Sequence, residues 1–212
     1  MTKHKYLSLL ISIIMALRVN AQNDGERIKK NYFILGSSLF VNEASLNSEK
    51  SHITGSGHSF TVDYRRLIMN NDKGSIYALI GLGDYRLGYT GWIDNNGVNE
   101  NFNAIERYST LKGGFVGSLK SKQNPLDFLD LEMTFVYWRL NNQEFSVNGS
   151  SKFPRADSRL STMFYPHYSR LFDNVKLCIG PFANIDLAEF NEVGRAFDLA
   201  LIGLRLNLGV GF

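Results

Sequence analysis

The chain has 212 residues, 44% of them hydrophobic, with 23 Lys and Arg against 20 Asp and Glu. Three of the cations, Lys3, Lys5 and Arg18, precede residue 21 in a segment that reads as a cleaved signal, which leaves 20 charges of each sign, so the basic excess does not argue for a nucleic-acid partner. A single cysteine, Cys178, excludes an internal disulfide, and no apolar run after that segment approaches twenty residues, which excludes a transmembrane helix.

In chain order, Lys3 and Lys5 precede the apolar run Tyr6 to Leu17, and Val19-Asn20-Ala21 places small residues where a signal peptidase reads. Residues 1–21 are therefore expected to be a cleaved signal peptide, and 22–30 a polar periplasmic lead-in. From 31 onward the pattern has period 2, the signature of strands with two unlike faces. The first strand runs over 31–42, with Phe33, Leu35, Leu39 and Val41 on one face. A polar loop, Glu43 to Gly57, follows. The second strand, 58–70, sets Phe60, Val62, Tyr64 and Ile68 against Thr61, Asp63 and Arg65, and ends in the turn sequence Asn70 to Gly74. The third, 75–90, sets Tyr77, Leu79, Tyr85, Leu87 and Tyr89 against Asp84 and Arg86. After the polar loop Gly91 to Asn103, the fourth strand, 104–119, sets Leu111, Phe115 and Leu119 against Thr110, Lys112 and Ser118. The fifth, 126–140, alternates Leu129, Leu131, Met133, Phe135 and Tyr137 with Asp130, Glu132 and Thr134. After the loop Asn141 to Asp157, the sixth, 158–172, sets Leu160, Phe164 and Tyr168 against Ser161, His167 and Ser169. Asp173-Asn174 turns into the seventh, 175–190, with Val175, Leu177, Ile179, Ile185 and Leu187 opposite Lys176, Asn184 and Asp186. The loop Asn191 to Ala196 leads to the eighth.

That last strand, FDLALIGLRLNLGVGF, alternates Leu204, Leu206, Leu208, Val210 and Phe212 with Gly203, Arg205, Asn207, Gly209 and Gly211. It resembles the terminal signal of bacterial outer-membrane barrels, alternating apolar residues that finish on an aromatic carboxyl terminus. The resemblance implies recognition by the barrel assembly machinery. The alternative is a core strand in a soluble sandwich. Eight strands, with long and short connections in turn, match an outer-membrane barrel, with long extracellular loops and short periplasmic turns. The reading is all-β: an eight-stranded antiparallel up-and-down transmembrane β-barrel over 31–212, monomeric, embedded in outer-membrane lipid. It resembles the outer-membrane protein A transmembrane domain, without a periplasmic domain after it.

Outward faces are then apolar, with Tyr89, Trp92, Tyr137 and Trp138 as interfacial aromatics. Inward faces carry Asp63, Asp84, Asp130, Glu132 and Asp186 against Arg65, Arg86, Lys112, Lys176 and Arg205. Charges inside a low-dielectric wall must pair or be solvated. An eight-stranded lumen is narrow enough for side chains to fill, so this balanced set reads as a salt-bridged plug. Its other reading is a narrow ion path. Glycines such as Gly81, Gly83, Gly113, Gly117 and Gly203 suit a narrow tapering barrel.

No Walker loop, HExxH or CxxC pair is present. His52 and His58, by the first loop, lack a third metal ligand, and Cys178 reads as a small buried hydrophobe. His167-Tyr168-Ser169 is similar to the His-x-Ser element of outer-membrane lipid A deacylases. Here Arg170-Leu171-Phe172 follows in place of that family's Asn-Ala-Gly, and the element sits at the wrong end of the strand for an outer-leaflet substrate. No catalytic, cofactor or metal residue is assigned. The expected role is structural or surface interaction through the long loops. The alternatives are a lipid A-modifying hydrolase, a narrow carrier of small molecules and a soluble periplasmic barrel.

Overall fold

The computed structural model describes residues 29–44, 51–95, 98–147, 158–190 and 200–212. The expected signal peptide, most of the lead-in and the loop Asn191 to Ala196 lie outside the described residues. Eight strands form one closed antiparallel ring: β1 (Asn31–Ala44), β2 (Ser51–Asn70), β3 (Gly74–Asn95), β4 (Val98–Lys120), β5 (Asp127–Val147), β6 (Ser158–Phe172), β7 (Val175–Phe190) and β8 (Ala200–Gly211). Each strand pairs with the next in sequence, and β1 pairs with β8, as in Leu35 opposite Leu208. Asn31 and Phe212 exchange two backbone hydrogen bonds of 3.2 and 3.0 Å at the seam. A ring has no free edge, so its backbone groups are satisfied within the wall.

The three short turns, at 71–73, 121–126 and 173–174, share one end of the barrel with Asn31 and Phe212. Asp173 takes φ 51°, a left-handed conformation that Asp tolerates better than most side chains. At the opposite end the strands run further than the sequence pattern predicts. Most of the stretches expected to be polar loops, Glu43 to Gly57, Gly91 to Asn103 and Asn141 to Asp157, continue the strands. β2 begins at Ser51, β3 runs to Asn95, β4 begins at Val98 and β5 runs to Val147. Only residues 96 and 97 separate β3 from β4, so the expected alternation of long and short connections fails there. The physical reason is that these stretches are mostly polar, with too few apolar residues to mark one face. Period 2 in hydrophobicity disappears, while cross-strand hydrogen bonding, such as Trp92 opposite His52 and Asn101, continues. Strands of 20–23 residues in β2 to β5 against 12–16 elsewhere make a four-stranded wall that extends beyond the ends of the other four strands.

The barrel is inverted relative to a water-soluble protein. Large apolar side chains point outward from every strand, including Leu39 (71% exposed), Leu82 (63%) and Phe135 (62%). The lumen holds most of the buried charge. Along β5 the outward positions between Asp127 and Arg139 are Leu129, Leu131, Met133, Phe135 and Tyr137. Twelve residues at about 3.3 Å each cover about 40 Å of strand. Tilted by 35–45°, that projects to roughly 30 Å, the thickness of a bilayer's hydrocarbon.

Pairing between β6 and β7 is interrupted between Phe164 opposite Ala183 and Tyr168 opposite Ile179. Counting along both strands puts Pro166 opposite Pro181, and neither proline has an N–H to give.

Candidate functional site

The lumen is layered. Near the short-turn end an apolar floor is built from Tyr32, Ile34, Tyr77, Leu79, Val116, Phe128 and Leu171. Toward the other end lies a larger aromatic cap, including Phe40, Tyr85, Tyr89, Tyr108, Trp138, Tyr165 and Phe182. Between them sits an ionic core.

Glu132 is the centre of that core. Its carboxylate accepts from Arg65 Nη2 at 2.7 Å and Lys112 Nζ at 3.1 Å, and Arg205 Nη1 lies 3.6 Å away. Asp63 takes Lys112 Nζ at 2.8 Å and Arg205 Nη2 at 3.0 Å. Arg205 also donates to Thr61 Oγ1 at 2.7 Å and to Asn207 Oδ1 at 2.9 Å, and its guanidinium lies 5.2 Å from the centre of the Tyr165 ring. The charged residues come from β2, β4, β5 and β8, so the cluster ties opposite sides of the ring together. It fits only where the wall lacks a side chain. A Cβ on Gly81 would collide with Asp63 Oδ1 and come within 2.9 Å of Lys112 Cε.

Nearer the floor, Asp130 accepts from Lys176 Nζ at 2.6 Å, Ser169 Oγ at 2.9 Å and Ser118 Oγ. Lys176 lies 5.0 Å from the centre of the Phe128 ring. His167 donates from Nδ1 to the Tyr165 carbonyl at 2.8 Å and stacks on that ring, and its Nε2 is 3.3 Å from Asp130 Oδ2. Asp130, His167 and Cys178 place ligand-type atoms within 4.8 Å of one another. The set does not suit a metal: the carboxylate already serves three donors, one an ammonium that a cation would have to displace.

Of the ten charges expected in the lumen, Asp63, Arg65, Lys112, Asp130, Glu132, Lys176 and Arg205 meet in this core. Asp186 lies higher, 3.5 Å from Arg159 Nη1. Asp84 and Arg86 do not belong there, which corrects the register read for the third strand. Both are exposed on the outer face of β3, whereas Tyr77, Leu79, Tyr85, Leu87 and Tyr89 point inward and are buried. The reason is that β3 is apolar on both faces between Ile76 and Leu82, and a narrow lumen takes aromatics as readily as ions. Tyr89 and Trp138, expected at the interface, are likewise buried in the cap, and only Trp92 and Tyr137 face outward. Two lumen charges escaped the sequence reading. Glu106 accepts from Tyr108 Oη at 3.0 Å and Gln143 Nε2 at 2.9 Å. Arg159 lies over the Tyr108 and Trp138 rings at 4.4 and 5.0 Å. Parity could have found both, since Glu106 is in phase with Lys112, and Arg159 with Ser161. These two, one acid and one base, stand in place of Asp84 and Arg86.

In the terminal strand, Leu204, Leu206, Leu208 and Phe212 are exposed and Val210 is half-buried. Phe212 stacks on Phe33 with ring centres 5.9 Å apart. His167 and Ser169, the residues similar to a deacylase element, both approach Asp130 from inside the lumen, and neither is accessible.

Ring, inverted surface and ionic core together define a class, the small up-and-down β-barrel with an apolar exterior and a side-chain-filled lumen. No family model matches the chain, and no curated protein does. Among solved structures it is similar to Neisserial surface protein A, at 13% identity and TM-score 0.49, over 85% of this chain and 97% of that one. It is also similar to the outer membrane protein OprG of Pseudomonas aeruginosa, at 8% identity and TM-score 0.49, over 86% and 94%. A third is the outer membrane protease OmpT of Escherichia coli, at 9% and 0.44, over 91% and 100%.

Proposed function

We propose that this chain is an integral outer-membrane β-barrel that acts through its surface at the end opposite the short turns, its lumen being a closed strut rather than a path. The observation that carries this reading is the inversion: oily side chains outside every strand, paired charges enclosed between two apolar layers. A water-soluble monomer rarely exposes apolar patches of more than a few hundred Å². Bilayer hydrocarbon supplies the missing apolar phase. In this reading residues 1–21 deliver the chain across the inner membrane and are removed, the short turns face the periplasm, and Leu204, Leu206, Leu208, Val210 and Phe212 are the strand that the assembly machinery reads. The outer face of β3 to β5 toward that end carries Arg86, Arg107 and Arg139 with Asp84 and Glu144, a polar surface suited to contacts with other molecules. No catalytic role is assigned: Ser169 and His167 are each bonded elsewhere and shut off from substrate.

Fractionation tests the localisation. The protein is expected to stay with outer membranes through carbonate and urea washing, and to migrate faster on gels unheated than boiled. Release into the wash would end the proposal. For the closed lumen, the purified barrel in planar bilayers is expected to give no steady conductance, and a Ser169→Ala variant is expected to leave lipid A profiles unchanged.

A further inference from the structure

The outer wall carries a notch that the barrel itself does not need. On β4 the outward positions near the short-turn end are Phe115, Gly117 and Leu119, and Gly117 lies in one cross-strand row with Ile76, Leu131 and Pro166. A Cβ placed on Gly117 would meet nothing within 4 Å. The resulting hollow has a volume of about 600 Å³, and its walls are Met69, Ile76, Leu119, Leu129, Leu131 and Pro166. That size falls in the range of ligand clefts, roughly 300–1,000 Å³.

Its mouth is chemically different. Asn71, Lys73 and Gly74 line it. Asn71 Oδ1 accepts from the backbone N–H of Lys73 and of Gly74, each at 2.9 Å, which fixes the turn that carries Lys73. Lys120 Nζ donates to the Asn71 carbonyl at 3.2 Å, so a second ammonium sits at the same turn. Around this rim Arg170 is matched by Asp127 at 3.6 Å. Among the described side chains, that leaves Lys29, Lys30, Arg66, Lys73, Lys120 and Lys122 against Asp72 and Asp173.

We propose that the notch seats one acyl chain of an anionic glycerophospholipid from the leaflet at the short-turn end, with its phosphate against Lys73 and Lys120. The proposal rests on the membrane reading above. A soluble anion would have no use for the apolar slot, and a zwitterionic lipid would cancel part of the attraction at the cationic mouth. Basic side chains near a membrane surface each contribute about 1 kcal/mol toward anionic lipid, a factor of about five.

The test is native mass spectrometry of the detergent-solubilised full barrel, titrated separately with phosphatidylglycerol and phosphatidylcholine of identical chains. The wild type is expected to retain one phosphatidylglycerol at least about tenfold more tightly than phosphatidylcholine. Lys73→Gln with Lys120→Gln is expected to remove that preference while leaving phosphatidylcholine binding unchanged. Gly117→Phe, which fills the slot, is expected to lose the bound lipid. Equal affinity for the two lipids, or retention undiminished in the lysine double variant, overturns the proposal, and the double variant decides the matter even if Gly117→Phe does not fold. A wild-type chain that fails to enter vesicles refutes the membrane reading itself. A chain that inserts but shows no lipid preference refutes only this one.

Discussion

Glu132 shows how much a single buried side chain carries in this lumen. Three cations approach its two oxygens. Removing one partner of a buried ion pair leaves an uncompensated charge and costs about 3–5 kcal/mol, whereas replacing a pair with apolar side chains can be neutral. Glu132→Ala is therefore expected to lower stability in a urea titration by about that much. Arg65→Met with Glu132→Leu is expected to lose clearly less than Glu132→Ala alone. Two glycines make a second contrast. At Gly81 any Cβ intrudes on Asp63 and Lys112, so Gly81→Val is expected to destabilise by about 1–3 kcal/mol, as overpacking does. At Gly117 the space is open. Gly117→Val is expected to be neutral or mildly stabilising, because a branched side chain suits a strand better than glycine. Equal losses at the two positions would mean that the ionic core is not where it is placed here.

Among the elements, the fifth strand was the most legible and the third the least. In β5 every outward residue from Leu129 to Tyr137 is apolar, and the inward partners Asp130, Glu132 and Thr134 are polar, so hydrophobic period and burial coincide. β3 breaks the rule because Tyr85, Leu87 and Tyr89 fill the aromatic cap from inside, which puts Asp84 and Arg86 outward. Alternation reports that two faces differ; it does not report which face is enclosed. The ends of the strands were hidden for a related reason. Residues 51–57 and 98–101 pair with β3 without an alternating apolar face to announce them. The seven core charges were readable because they alternate with apolar neighbours, while their arrangement around Glu132 and Asp130 depends on closure of the ring. Phase can be tested directly. Met133→Arg, at mid-belt, is expected to cost about 2–4 kcal/mol of folding into vesicles, and Ser109→Arg, at the rim beyond the belt, about 0–1. Similar costs at the two sites would contradict the placement of the belt.

For the whole molecule, stability depends on which phase surrounds the wall. The ionic core is stable only if enclosed, and the belt is tolerable only if it is kept from water. Apolar layers lie above and below the core, and on the proposed reading they close the axis. Under the proposed function, the surfaces that act are the outer ones: the extended strands at one rim, and the basic rim with its notch at the other. The most direct measurement is accessibility of a nitroxide scanned along β5, at positions 129 to 137 one at a time, in a Cys178→Ala background reconstituted in lipid vesicles. Labels at 129, 131, 133, 135 and 137 are expected to collide with dissolved oxygen and to be shielded from a water-soluble nickel chelate, and labels at 130, 132, 134 and 136 to be shielded from both. Nickel access at the odd positions, or no alternation at all, would contradict the account.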